Sequence, residues 1–286
     1  MRTGPVWLFA PANAARKAQG ALASLADVVV LDLEDAVAVS EKDAARAALA
    51  ELALLPRRGT LCVRVNAAGT TLCLRDLEAA VRAGADGVMQ PKTETAAEVG
   101  AVCWALAQIE AAHGRTQPTA LVPLIETARG LSNLDRIDWV RRVRRVAFGS
   151  VDYALDLQLS GTAGTEAVTA AEFAIVRASR AIGLDRPIGG VTLEARDAAL
   201  CARDARRARE LGFDGKLAIH PAQIEPIQAA FRPAAEDVAW ASEVVEAFAA
   251  AEKLGSAAIL VRGRLVDYPV LAQAERLLAR AGNAAR

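Results

Sequence analysis

The chain has 286 residues, enough to bury a sizeable core, and 53% are hydrophobic, which excludes a disordered chain. Lys plus Arg equals Asp plus Glu at 34 each. The net charge is therefore zero, and nothing draws the chain to nucleic acid or to an anionic membrane surface. The four cysteines, Cys62, Cys73, Cys103 and Cys201, form no C-x-x-C pair and match no zinc or disulfide spacing. With no stretch of spanning length and no leader pattern, the expected setting is soluble, reducing and cytoplasmic.

Apolar runs alternate with longer amphipathic ones along the chain. The predicted strands are Val6–Phe9, Val28–Leu33, Leu61–Val65, Gly87–Gln90, Ala120–Ile125, Arg145–Phe148, Pro187–Val191 and Lys216–Ile219. Most are rich in Val, Ile and Leu with little alternation, as parallel strands buried on both faces require. Helices are expected between them. Ser40 with Asp43, Thr95 with Glu98, and Thr169 with Glu172 fit an S/T-x-x-acid start. Gly84, Gly183 and Gly212 each precede a strand, where a left-handed helix end is expected.

Eight such units predict an α/β fold of the closed (β/α)8 type over residues 1–232. An open doubly wound sheet is the alternative. Its first turn would carry a glycine-rich phosphate loop, but the segment Ala10 to Arg16 has no glycine. Residues 233–286 follow as a C-terminal extension: a helix from Pro233 to Leu254, a hairpin around Gly263 and a helix from Pro269 to Ala281. The extension is expected to pack on the barrel or on a neighbouring subunit.

In a parallel barrel all strands end at one face, which carries the active site. In chain order the ends offer Pro11 and Asn13; Asp32, Glu34 and Asp35; Arg64 and Asn66; Gln90 and Lys92; Glu126 and Thr127; Ser150 and Asp152; Thr192 and Glu194; and His220. The run Asp27-Val-Val-Val-Leu-Asp-Leu-Glu-Asp-Ala36 holds most of the acids. A strand needs its apolar part; folding does not need three carboxylates at its end.

Glu126 and Asp152 come from adjacent strands and are placed to converge on a hard cation such as Mg²⁺, completed by a 2-oxo or 2-hydroxy acid. The plainer reading pairs Glu126 with Arg129 and leaves Asp152 in solvent. Arg64 suits bidentate binding of a carboxylate, or structural pairing with Glu34 or Asp35. Lys92 reads as an electrostatic group, since nearby acids would keep it protonated and no Schiff-base nucleophile. His220 reads as bonded to backbone and ordering the last loop, and His113 as surface. The basic runs Arg141–Arg145 and Arg203–Arg209 read as solvated faces.

Eight segments then resemble one family: Trp7–Pro11, Val30–Val37, Val63–Asn66, Met89–Lys92, Leu124–Gly130, Phe148–Asp152, Ile219–Ile224 and Gly263–Val270. In this order they resemble the HpcH/HpaI aldolase superfamily, which includes the β subunit of citrate lyase and the malyl-CoA and citramalyl-CoA lyases. The resemblance implies cleavage or formation of a 3-hydroxy-acyl thioester, giving an oxo acid such as oxaloacetate plus an acyl thioester. It implies Mg²⁺ on Glu126 and Asp152, Arg64 on the oxo acid's carboxylate, and Glu34 and Asp35 orienting metal-bound water. Backbone N–H groups around Gly149 and Ser150 would meet the bound acid. Asp267 would reach a neighbouring subunit's site in a homotrimer or hexamer.

Two further activities stay open: a class II aldolase acting on free pyruvate- or oxaloacetate-type acids, and a citrate lyase subunit that works only with an acyl-carrier protein. The chain departs from the family pattern at three places. Gly4-Pro5 precedes the first strand where many relatives carry Arg, with Arg2 the nearby substitute. Gln90 stands where an apolar residue commonly precedes Pro, and Ala12 where Gly is usual.

Overall fold

The structure is a computed structural model and describes residues 1, 3–136 and 142–284. Arg2 and Arg141 lie outside the described residues. Eight strands pair in parallel in chain order and close on themselves. They are β1 (Val6–Pro11), β2 (Val28–Asp32), β3 (Thr60–Arg64), β4 (Gly87–Gln90), β5 (Ala120–Ile125), β6 (Ala147–Phe148), β7 (Ile188–Gly189) and β8 (Gly215–Ala218). The closed barrel predicted from the apolar runs is therefore the fold.

Side-chain parity explains why the runs show little alternation. Trp7, Val28, Val30, Cys62, Met89, Val122, Leu124, Ala147, Ile188 and Leu217 form one buried cluster inside the barrel. Val29, Leu31, Leu61, Val63, Val88 and Leu121 point the other way, into the layer shared with the surrounding helices. Both faces of each strand are dry, so both parities are apolar.

β6 and β7 are shorter than the sequence suggested. Arg145 leaves the ladder to pair with Asp214 at 3.2 Å and Asp185 at 3.8 Å. Arg142 likewise pairs with Glu110 at 2.6 Å. These two arginines are mostly buried, which corrects the solvated-face reading for them; Arg144 stays exposed.

Helix starts divide in the same way. Thr95 and Glu98 form a full capping box on helix Ala96–Ala112. Ser40 makes no cap, because a 3₁₀ turn, Val39–Glu41, leads into helix Lys42–Leu52. Thr169 lies inside helix Gly161–Ala181 and donates back to the Thr165 carbonyl at 2.8 Å. Gly84, Gly183 and Gly212 all take positive φ, as expected.

Residues Met1–Phe231 and Arg232–Arg286 form two compact units. In the second, helices Ala235–Glu252 and Tyr268–Ala284 flank an antiparallel hairpin, β9 (Ile259–Val261) and β10 (Arg264–Val266). Its two-residue turn, Arg262-Gly263, has positive φ at both positions, as a tight hairpin matched to strand twist demands. Ala241, Val244, Phe248, Val261, Val266 and Ala274 are its core. No helix among the described residues is long and apolar enough to cross a membrane.

Candidate active site

The inward parity that supplies the apolar core continues one step further at the strand ends, where it supplies charge. Val28 and Val30 point inward on β2, and so does the next residue of that parity, Asp32. Cys62 points inward on β3 and is followed by Arg64; Val122 and Leu124 on β5 are followed by Glu126. Strand register sets Asp32 opposite Arg64. Three ionic groups thus cap the apolar plug at the C-terminal mouth.

On the β2–β4 side the charges are satisfied by one another. Arg64 donates from Nε to Asp32 Oδ1 at 2.7 Å and from Nη2 to Asp32 Oδ2 at 2.6 Å. Its Nη1 lies 3.1 Å from Glu34 Oε2. That oxygen accepts no aligned hydrogen bond, so the contact is electrostatic attraction off the N–H direction. The guanidinium rests on Phe9, 4.9 Å from the ring centroid. Asp32 and its neighbours hold Arg64 above its usual pKa, more than offsetting burial, which acts the other way.

Lys92 Nζ bonds Glu34 and lies 3.5 Å from Asp35. Burial works against the lysine's charge, but Glu34, Glu126 and Asp35 more than offset it and raise its pKa. A protonated ammonium is no Schiff-base nucleophile, so the electrostatic reading of Lys92 is the one the geometry supports. Burial raises Glu34. Asp35 is exposed; desolvation lifts it, yet Glu34, Lys92 and Arg64 together hold it below the ordinary value.

The loop that presents these acids is anchored from behind. Lys42 is buried, and its Nζ donates to the carbonyls of Leu33 at 2.6 Å and Glu34 at 2.7 Å. Asn66 Nδ2 reaches the same Leu33 carbonyl at 2.9 Å and Asp76 at 2.6 Å, and Asp76 accepts from Arg46 at 2.8 Å. Lys42 and Asp76 carried no sequence signal, because both lie on helices and meet the loop and Asn66 only through the fold.

The β5–β6 side is different. Glu126 is 1% exposed. Its Oε1 accepts from the Lys92 backbone N–H at 2.7 Å, while Oε2 is buried without a partner. Lys92 adopts a left-handed φ of 49° at that donor, a conformation non-glycine residues rarely take. Burial, and then the charge of Asp152, push Glu126 up to about 8. Asp152 sits in the first turn of helix Ser150–Asp156. The pairing of Glu126 with Arg129 does not form: Arg129 lies 3.7 Å from Glu94 instead.

A buried carboxylate with an orphaned oxygen, under the charge of a second acid, is a fit for a divalent cation. Among the described residues no group of three or more His, Cys, Asp or Glu is arranged around one point. A site built on two carboxylates suits Mg²⁺, which keeps other positions for water and substrate oxygens, better than it suits an all-protein cage.

Gly149 corrects one expectation. Its N–H donates to the Ile125 carbonyl at 3.0 Å and is used up in the barrel. The backbone donors left at this strand end belong to the first turn from Ser150, where a helix has no internal acceptor. What Gly149 supplies is room: a Cβ there would lie 2.6 Å from Glu126 Cβ. At Gly190 a Cβ would lie 2.9 Å from Ser150 Cβ.

The remaining strand ends contribute less charge. His220 Nδ1 accepts from the Ala222 N–H at 3.1 Å, ordering the last loop as expected. Thr192 is buried and bonds Asp204 at 2.9 Å, and Glu194 is exposed. The ionic cluster is thus confined to β2 through β6. Asp267 belongs to the second unit, where it accepts from the Val270 N–H at 3.2 Å and so caps the last helix.

Comparison with known proteins agrees with this picture. A family model described as HpcH/HpaI aldolase/citrate lyase matches residues 6–221. A citrate lyase subunit beta-like protein of Mycobacterium tuberculosis is 38% identical, over 98% of this chain and 97% of that protein. The citrate lyase subunit beta of Haemophilus influenzae is 33% identical, over 98% of this chain and 97% of its own length. The crystal structure of the M. tuberculosis CitE protein with magnesium, acetoacetate and coenzyme A superposes with a TM-score of 0.78 at 35% identity, covering 98% of each chain. The chain belongs to the HpcH/HpaI aldolase/citrate lyase family.

Proposed function

We propose that this barrel is a Mg²⁺-dependent carbon–carbon lyase that cleaves or forms a 3-hydroxy-acyl thioester, yielding an oxo acid such as oxaloacetate and an acyl thioester. The observation that carries the reading is Glu126: a buried carboxylate with one unpartnered oxygen, within electrostatic reach of Asp152 and of Arg64. Membership of the family and the magnesium, acetoacetate and coenzyme A held by the M. tuberculosis relative support it.

Glu126 and Asp152 would hold the metal, which supplies Lewis-acid polarisation of the substrate oxygen when bound. Arg64 binds the oxo acid's carboxylate and fixes the angle of the scissile bond. Glu34 and Asp35 accept hydrogen bonds from ordered water at the same mouth, and Lys92 offsets their charge. The first turn from Ser150 directs N–H groups toward the bound acid, and Gly149 keeps Glu126 unobstructed. Asp267 is the candidate for proton transfer to the thioester enolate, reaching the site from a neighbouring subunit of a trimer or hexamer. The setting is the cytoplasm.

The test is a cleavage assay with citryl-, malyl- and citramalyl-CoA, followed by oxo-acid release with and without EDTA. Thioester-dependent, chelator-sensitive release is expected. Cleavage of free hydroxy acids at the same rate would favour the class II aldolase, and activity only with an added acyl-carrier protein would favour the complex subunit. Chelator-insensitive turnover would overturn the metal assignment. Asp267→Asn is the variant for the tail acid, because Asn caps a helix as well as Asp and removes only the charge. It should cut turnover at least tenfold with oxo-acid binding unchanged; full turnover would remove Asp267 from the mechanism.

A further inference from the structure

Asp32 is 1% exposed and fully committed. Its Oδ1 accepts from Arg64 Nε at 2.7 Å and from the Glu34 N–H at 2.9 Å. Its Oδ2 accepts from Arg64 Nη2 at 2.6 Å and from the Ala36 N–H at 3.1 Å. Four donors on two oxygens leave it no capacity for a metal or for proton transfer. A guanidinium has five N–H groups. Asp32 takes the Nε–Nη2 edge and Phe9 covers one face of the ring. The donors left over are both on Nη1 and one on Nη2, so the end-on fork faces away from Asp32; Glu34 Oε2 lies 3.1 Å from Nη1 but off its N–H direction, so it leaves those donors unspent.

We infer that Asp32 is a positioning residue for the proposed reaction: it holds one edge of Arg64 so that the other edge is presented, pre-aligned, to a substrate carboxylate, and it ties the Glu34–Asp35 loop to that same arginine. Two observations separate this from an ordinary structural ion pair. Asp32 has the inward parity of the barrel plug and stands opposite Arg64 in register, so the pair lies at the mouth and not in the wall. The same carboxylate also fixes the backbone on either side of Asp35, so arginine and acidic loop are set by one group. A pre-aligned fork forms both hydrogen bonds to a carboxylate without first losing rotamer freedom.

The inference rests on Arg64 binding the oxo acid, and a double-mutant cycle separates the two claims. Asp32→Asn, Arg64→Lys and the double variant are compared for the KM of the oxo acid in the synthesis direction, with kcat, Mg²⁺ affinity and Tm alongside. Asp32→Asn puts an NH₂ where two donors now point, and should raise KM about tenfold. Its kcat and Mg²⁺ affinity should each move less than threefold. In the Arg64→Lys background the same change should cost less than twofold, because the edge it holds is gone. Equal KM effects in both backgrounds would overturn the positioning role. If Arg64→Lys alone leaves KM unchanged, the reading of Arg64 as carboxylate binder fails first. If Asp32→Asn does not fold, Asp32→Glu takes its place in the cycle, with the same expectation of non-additivity.

Discussion

The two walls of the barrel mouth are built on opposite electrostatic plans. On the β2–β4 wall, Asp32, Glu34 and Asp35 are matched by Arg64 and Lys92, each within ion-pair distance of an acid. On the β5–β6 wall, Glu126 feels the charge of Asp152, and its aligned bond comes from a backbone N–H. The first wall holds two cations among its three acids, with Glu34 Oε2 left without an aligned bond, and positions what binds. The second is left with an uncompensated charge, which folding alone would not select, because a lone buried carboxylate is costly. The difference points to a cation on one wall and a carboxylate on the other.

The strongest way to break this comparison is Glu126→Gln. It removes the acid that has no ion-pair partner among the described residues and keeps the side chain's size. Turnover should fall on the order of 10³-fold or more, as expected when several kcal/mol of Lewis-acid stabilisation is lost. Mg²⁺ binding, followed by calorimetry, should disappear. The metal-free variant should be at least as stable as the native protein at alkaline pH, since a buried charge has gone. A marked loss of stability instead would mean that Glu126 serves the fold.

Gly149→Ala probes the same wall by shape. The new methyl would press on Glu126, 2.6 Å from its Cβ. Overpacking of this kind costs about 1–3 kcal/mol. Mg²⁺ affinity should fall roughly tenfold or more with the β2–β4 wall intact, so inhibition by a simple carboxylate at Arg64 should persist. Lys92→Met tests the other wall. It removes an ammonium paired with Glu34 and Asp35 but keeps the backbone N–H to Glu126. Oxo-acid KM should rise about fivefold, the size of a half-exposed ion pair of about 1 kcal/mol. Mg²⁺ affinity should hardly move, and a large drop in it would show that the walls are not separable.

The architecture was legible because parallel strands dry on both faces leave an unmistakable trace, and eight such runs with intervening helices admit few closures. Placement of Glu126, Asp152 and Arg64 at the mouth followed from the same logic. What the residues alone did not show was who holds whom. Asp32 stood undivided from Glu34 and Asp35 because three acids in one loop are indistinguishable until parity and register are known; counting inward positions from Val28 and Val30 to the strand's last residue would have separated it from Asp35. Thr169 and Glu172 matched a helix start but sit inside a helix, where Glu172 meets Arg207 at 2.7 Å. The pattern is local, and the preceding turn decides it. Gly149 was a donor only by what the family resemblance implied; the barrel ladder takes its N–H.

The smallest expected effect is on stability as pH changes, and it sharpens the contrast between the walls. Burial and Asp152 hold the Glu126 pKa near 8, above the ordinary carboxylate value of 4.5. An acid raised by folding binds its proton more tightly in the native state than in the unfolded chain. Below the ordinary value both states are protonated and the group contributes nothing. As pH rises toward about 8, the unfolded chain ionises first, so metal-free stability declines across that window and levels off above it. A Tm scan without metal should therefore lose a few degrees between about pH 4.5 and about pH 8, and Glu126→Gln should remove most of that loss. Saturating Mg²⁺ should remove it too, because the cation takes the place of the proton and its binding below pH 8 releases one. On the β2–β4 wall Asp35, held below its ordinary value by Glu34, Lys92 and Arg64, adds nothing in this window, while Glu34, raised by burial, adds a smaller decline of the same sign. A slope that survives both Glu126→Gln and Mg²⁺ undiminished would place the titrating group elsewhere and dissolve the distinction between the two walls.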